Sequence, residues 1–110
     1  IGNVSGLYNG GPVLDLARLQ QIRQETDVYL ILHGGSGLSP QDVRSVVAEG
    51  ISGIRFATEM RLAYFDTLQA KRHELGRENP DSRRLFAPAR ERVKALIRER
   101  MQQMGCAGQA

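Results

Sequence analysis

Residues 28–37 read Val-Tyr-Leu-Ile-Leu-His-Gly-Gly-Ser-Gly, and no other stretch limits the fold as severely. The unbroken apolar run from Val28 to Leu32 predicts a strand buried on both faces, since a half-exposed strand alternates polar and apolar side chains. The run stops at His33, and glycine then occupies positions 34, 35 and 37. Without Cβ atoms the backbone can be approached closely, and Ser36 adds a hydroxyl among the N–H groups. Ser39, Pro40 and Asp42 follow as N-cap, first helical residue and N3 acid, so a helix N-terminus points back toward the same place. An anion site at the carboxyl end of a strand has this composition. So does a tight strand-to-helix connection, and the stretch alone leaves both readings open. His33 likewise reads either as a hydrogen-bonded histidine at a strand end or as a metal ligand or catalytic group.

The flanking sequence repeats the pattern. Residues 1–4 read as the end of a strand, and Ser5-Gly6-Leu7-Tyr8-Asn9-Gly10-Gly11-Pro12 as a glycine-rich loop. Asp15 caps a helix reaching Glu25, with Leu16, Leu19 and Ile22 as its apolar stripe. After the central turn a helix over residues 40–49 carries Val43, Val46 and Val47 on one face, and Gly50 supplies a left-handed end. A short strand over residues 51–56 leads into a helix from Ala57, with Met60, Ala63, Tyr64, Leu68 and Leu75 at helical spacing. Asn79-Pro80-Asp81 breaks that helix, and a last one over residues 88–104 places Val93, Leu96, Ile97, Met101 and Met104 on a buried stripe before Gly105 ends it. Strands alternating with helices through short connections predict an α/β parallel sheet. Three strands make too narrow a sheet, so the chain, which opens at Ile1 without a methionine, reads as the closing part of a larger unit. Barrels and doubly wound sheets alike gather the loops after Val4, Leu32 and Phe56 on one ligand-binding face.

Charge and composition narrow the class of function. No apolar run approaches the ~20 residues of a membrane-spanning helix. The net charge of +3 comes largely from Arg83, Arg84, Arg90, Arg92, Lys94, Arg98 and Arg100. Glu91 and Glu99 interrupt that cluster and Phe86 is its only aromatic residue, which favours a solvated helix face over a nucleic-acid surface. The single cysteine, Cys106, fits a reducing cytoplasm and reads as an inert thiol near the chain end.

Taken together, the motifs resemble the C-terminal part of the class II, metal-dependent ketose-bisphosphate aldolases, which cleave fructose or tagatose bisphosphate. The resemblance covers the whole chain: Ile1-Gly2-Asn3-Val4-x-Gly6, Leu14-Asp15 opening a helix, Leu32-His33-Gly34-Gly35-Ser36-Gly37, Ala57-Thr58-Glu59 with Arg61, Pro88-Ala89-Arg90, and the Gly-x-Ala-Gly-x-Ala ending. It implies an α/β fold, the C-terminal part of a (β/α)8 TIM barrel containing the end of strand six, strands seven and eight, and the terminal helices. Residues 1–110 would form one segment of a single barrel domain.

The implied chemistry is reversible aldol cleavage of a ketose bisphosphate to dihydroxyacetone phosphate and an aldehyde, with Zn2+ as Lewis acid. By the same resemblance His33 is a metal ligand. Gly6, Gly34, Gly35 and Ser36 hold the substrate phosphate and a monovalent cation beside it, and Arg55, Phe56, Ala57 and Thr58 complete the substrate site. The catalytic proton donor and a further metal histidine are expected upstream of Ile1. The family is cytoplasmic and forms dimers or tetramers, with neither nucleic acid nor membrane as partner. Three positions depart from the family pattern: Ser5 stands where it has a second metal-ligating histidine, Arg55 where it has an asparagine, and the loop lysine expected near Asn9 is missing. An aldolase-like protein that binds a phosphorylated ligand, or acts as a scaffold, without its metal is the alternative these departures raise.

Overall fold

The computed structural model describes residues 1–7, 9–77 and 81–109. Tyr8 of the glycine-rich loop, and Asn79 and Pro80 of the segment expected to break the helix, lie outside them. Along the chain come α1 (Leu16–Gln24), β1 (Leu30–Leu32), a 3-10 turn (Gly35–Gly37), α2 (Pro40–Ala48), β2 (Ile51–Ile54), α3 (Thr58–Leu75) and α4 (Ser82–Gln103). β1 and β2 pair in parallel, Leu30 opposite Ile51, Ile31 opposite Gly53 and Leu32 opposite Ile54. The ladder runs on past the strand ends. The Leu32 carbonyl accepts from the Arg55 N–H at 2.8 Å and the Arg55 carbonyl from the Gly35 N–H at 3.1 Å, so the glycine turn stays fastened to the chain leaving β2.

Local chemistry sets the helix starts. Ser39 Oγ accepts from the Asp42 N–H at 3.1 Å while the Asp42 carboxylate accepts from the Ser39 N–H at 3.0 Å, a reciprocal cap with Pro40 just inside it. Asp15 caps α1 through the Arg18 N–H at 2.8 Å. Past α2, Gly50 takes the expected left-handed backbone at φ +92°. The apolar faces of α1 and α2 then meet the sheet, and Leu19, Leu32, Leu38, Val43, Val46 and Ile51 form one buried cluster.

Four expectations are corrected. β1 is buried on one face only: Leu32 is 7% exposed, but Tyr29 and Ile31 on the alternate face are 89% and 63% exposed. A strand with a single neighbour and helices on one side has nothing to cover the other. Residues 1–4 form no strand among the described residues, because Gly2 at φ +94° breaks the extended backbone and the Ile1 carbonyl turns to accept from the Asp15 N–H at 3.0 Å. α4 begins at Ser82 rather than Pro88, because the Asp81 carboxylate caps it through the Arg83 N–H at 2.9 Å, and the helix runs through Pro88. Its apolar stripe is not buried as a whole. Ile97 and Met101 are exposed and Ala89 alone is buried, while α1 likewise leaves Ile22 exposed.

α3 and α4 pack along each other and extend the molecule to 60 × 35 × 20 Å. Among the described residues no helix is long and apolar enough to cross a membrane. Cys106 is exposed and in no disulfide.

Candidate functional site

The three loops expected on one face do meet. A cavity of about 230 Å³ takes Ser5 and Gly6 from the first loop, and His33, Gly34 and Ser36 from the turn after β1. The junction between β2 and α3 adds Arg55, Ala57, Thr58 and Arg61. Gly34 shows why the turn is glycine-rich. Its φ of +75° is left-handed, and a Cβ there would run into the Val4 carbonyl. The Asn3 side-chain amide also donates to the His33 carbonyl, so the first loop is seated directly against the turn. At Gly35 a Cβ would lie 2.9 Å from Phe56 Cε1, tighter than real side chains pack.

Gly35 and Phe56, both expected in the site, therefore stand behind its wall rather than lining it. The Ile54 side chain, 2.5 Å from such a Cβ, and the Phe56 ring together fill the space a Gly35 side chain would need. Gly6, Gly34, Ser36, Arg55, Ala57 and Thr58 line the cavity itself, with Ser5 and His33.

The polar groups around the cavity suit an anion. Ser36 is 8% exposed, and its Oγ accepts from the Ala57 N–H at 3.1 Å. With that lone pair engaged, the hydroxyl keeps its proton to donate. Asp15, Ser39 and Asp81 cap α1, α2 and α4 with side chains, whereas α3 starts at Thr58 with no side-chain cap. The first-turn N–H groups of an α-helix have no acceptor within the helix, and Thr58, the residue that opens α3, lines the cavity. Arg55 and Arg61 border it, and among the described residues no Asp or Glu lines it.

Two residues were not singled out as site residues from the sequence. Arg61 lines the cavity one helical turn after Thr58, and its position within the Ala57-Thr58-Glu59-x-Arg61 motif was the available signal. Arg100, on the last helix, lies behind the junction. Its Nη2 and Nε reach Glu59 Oε2 and Oε1 at 2.6 and 3.0 Å. Its guanidinium carbon stands 5.0 Å from the Phe56 ring centroid, and Nη1 donates to the Leu38 carbonyl at 3.4 Å. No sequence signal links positions 59 and 100.

His33 and Ser5 line the same cavity, and among the described residues no three His, Cys, Asp or Glu side chains gather as a metal site. One imidazole beside a hydroxyl fits a contributing ligand to zinc rather than a complete set.

Comparison with known proteins gives this geometry its context. The model of the class II fructose-bisphosphate aldolase family matches residues 1–109. The D-tagatose-1,6-bisphosphate aldolase subunit GatY of Klebsiella oxytoca is 37% identical over 112 aligned residues, covering 99% of this chain and 38% of that protein. Among solved structures, the YdjI aldolase of Escherichia coli K12 superposes with a TM-score of 0.79 at 27% identity over 96% of this chain and 39% of its own. The fructose-bisphosphate aldolase Fba of Campylobacter jejuni, at 20% identity, shares the fold with a TM-score of 0.74 over 96% of this chain and 38% of its own. The chain thus spans about two-fifths of the length of these relatives, and its α/β fold is that of part of an aldolase TIM barrel.

Proposed function

This chain belongs to the class II fructose-bisphosphate aldolase family, and from that premise we propose that it forms the phosphate-binding side of a site for aldol cleavage of a ketose bisphosphate. The observation that carries the reading is the donor-lined cavity where the first loop, the glycine turn and the uncapped start of α3 converge. There the phosphate of dihydroxyacetone phosphate, or of the same group within fructose or tagatose bisphosphate, receives hydrogen bonds from the Ser36 and Thr58 hydroxyls and the first N–H groups of α3. Arg55 and Arg61 balance its charge. Holding the phosphate fixes the rest of the ketose relative to His33, which is the positional part of catalysis.

His33 is the zinc ligand supplied by this chain, and a bound zinc ion would polarise the ketone carbonyl as a Lewis acid. We assign Gly6 and Gly34 to the close backbone approach around the phosphate, with a monovalent cation beside it, and Gly35 and Phe56 to the wall behind. The same reading makes residues 1–110 part of one barrel domain in a cytoplasmic homo-oligomer.

Calorimetry of the full-length protein with dihydroxyacetone phosphate tests the site. Binding should be saturable, and Ser36→Asp should abolish it by setting one anion against another. Unchanged affinity in that variant would move the phosphate elsewhere.

Ser5 favours a second reading, a phosphate-binding protein of the aldolase fold with a weakened metal site, because a hydroxyl lines the cavity where the family carries an imidazole. Zinc content separates the two. If Ser5 weakens the site, the protein as written carries substoichiometric zinc and Ser5→His raises it. Full zinc occupancy with Ser5 in place would retire the second reading.

A further inference from the structure

We propose that Arg100 is a positioning residue for the anion cavity, holding its back wall in register from the far end of the chain. The proposal rests on the reading of that cavity as the phosphate site and goes beyond it. One guanidinium meets all three segments that form the wall. It grips Glu59 with two hydrogen bonds, at 2.6 and 3.0 Å, one residue after the cavity-lining Thr58. It lies over Phe56, whose ring packs where a Gly35 side chain would be. It also donates to the carbonyl of Leu38, just past the glycine turn. The planar fork of arginine suits this combination of a bidentate carboxylate and a stacked ring, which a lysine ammonium cannot reproduce.

Burial gives the contact its leverage. The Arg100 and Glu59 side chains are only 11% and 12% exposed, whereas the other ion pairs found among the described residues join more exposed groups. Loss of either partner leaves the other charge in a poorly solvated place, and the wall must shift to hydrate it. Glu59 also has a second consequence for α3. A free carboxylate in the first turn would compete with a bound anion for the helix N–H groups, and Arg100 draws it away to the rear.

The test is phosphate binding by the full-length protein, measured calorimetrically for wild type, Arg100→Lys, Glu59→Gln, Leu19→Ala and Ser36→Asp. Removing the Glu59 charge should tighten phosphate binding if electrostatics alone matter. Positioning predicts the reverse: Glu59→Gln and the charge-conserving Arg100→Lys each weaken binding by roughly tenfold. Leu19→Ala, which opens the core under α1, should lower the melting temperature while leaving phosphate affinity alone. Should one of the two wall variants fail to fold, the other gives the same reading. Wild-type or tighter binding by Glu59→Gln or Arg100→Lys overturns the proposal, as does an equal loss in Leu19→Ala. If Ser36→Asp binds phosphate like wild type, the cavity itself is misassigned and the role of Arg100 falls with it, a result distinct from failure of Arg100 alone.

Discussion

The α/β half of the molecule and the α3–α4 pair use apolar residues at similar spacing with different outcomes. In the first, Val43 and Val46 lie three apart on α2 and both reach 0% exposure against the sheet. In the second, Tyr64, Leu68, Val93 and Leu96 are only half-covered, Phe65 is 63% exposed, and Ala89 is the one buried residue. The difference teaches what periodicity can report. It identifies which face of a helix is apolar, whereas burial depends on what the rest of the assembly places against that face. The bidentate, poorly hydrated contact within the helical pair is polar, between Glu59 of α3 and Arg100 of α4, and the same guanidinium reaches the other half at the Leu38 carbonyl.

The largest expected effect separates the halves directly. Val46→Asp places an unpartnered carboxylate in the core and should cost more than ~4 kcal/mol, enough to prevent folding. Phe65→Ser should change stability by no more than about 0.5 kcal/mol. Urea unfolding of the full-length protein provides the check, and a large loss in Phe65→Ser would mean that this face is covered after all.

A subtler contrast uses two glycines with the same backbone. Gly34 in the turn and Gly105 after α4 both have φ +75°, but only Gly34 faces a neighbouring carbonyl, that of Val4. Gly105→Ala should cost roughly 1–2 kcal/mol of left-handed strain. Gly34→Ala should cost more, because the first loop must also move, and it should weaken phosphate binding. Equal costs, with phosphate affinity unchanged in both variants, would show that the first loop is not seated on the turn.

The smallest effect concerns helix starts. The Arg83 side chain, and then its backbone N–H, hold the Asp81 carboxyl below its ordinary value. A carboxyl more acidic folded than unfolded stabilises the protein above its unfolded value of ~4, and this contribution disappears as pH falls through the lower folded value. Solvent screening keeps it small. Asp81→Asn should therefore flatten slightly the fall in melting temperature between about pH 7 and pH 3. An unchanged slope would remove Asp81 from the acid response.

The parts of the fold legible in the sequence are those written by neighbouring residues. Ser39-Pro40-x-Asp42 announces the start of α2, Asp15 that of α1, and Gly50 the turn into β2. The gathering of Ser5, His33, Ser36 and Thr58 was also accessible, because parallel strands place their following loops on one side. Interactions between distant residues were not. Nothing near Glu59 foretells a partner 41 positions later, and nothing in Val28 to Leu32 says that one face of the strand lies open. The start of α4 is hidden in the sequence for a local reason. Pro88 looks like a first-turn residue, but the Asp81 cap had already opened the helix.

The hydrogen bond from the Ala57 N–H to Ser36 Oγ has a consequence for the ligand's own acid–base state. The serine oxygen accepts there and keeps its proton to donate, and the bordering arginines offer only donors. The monohydrogen form of a phosphate ester carries less charge and spends one oxygen on its own proton. The fully ionised ester offers every oxygen as an acceptor to those donors. The second ionisation of a phosphate monoester lies near pH ~6, so affinity should rise through that range as the sugar phosphate itself loses its second proton.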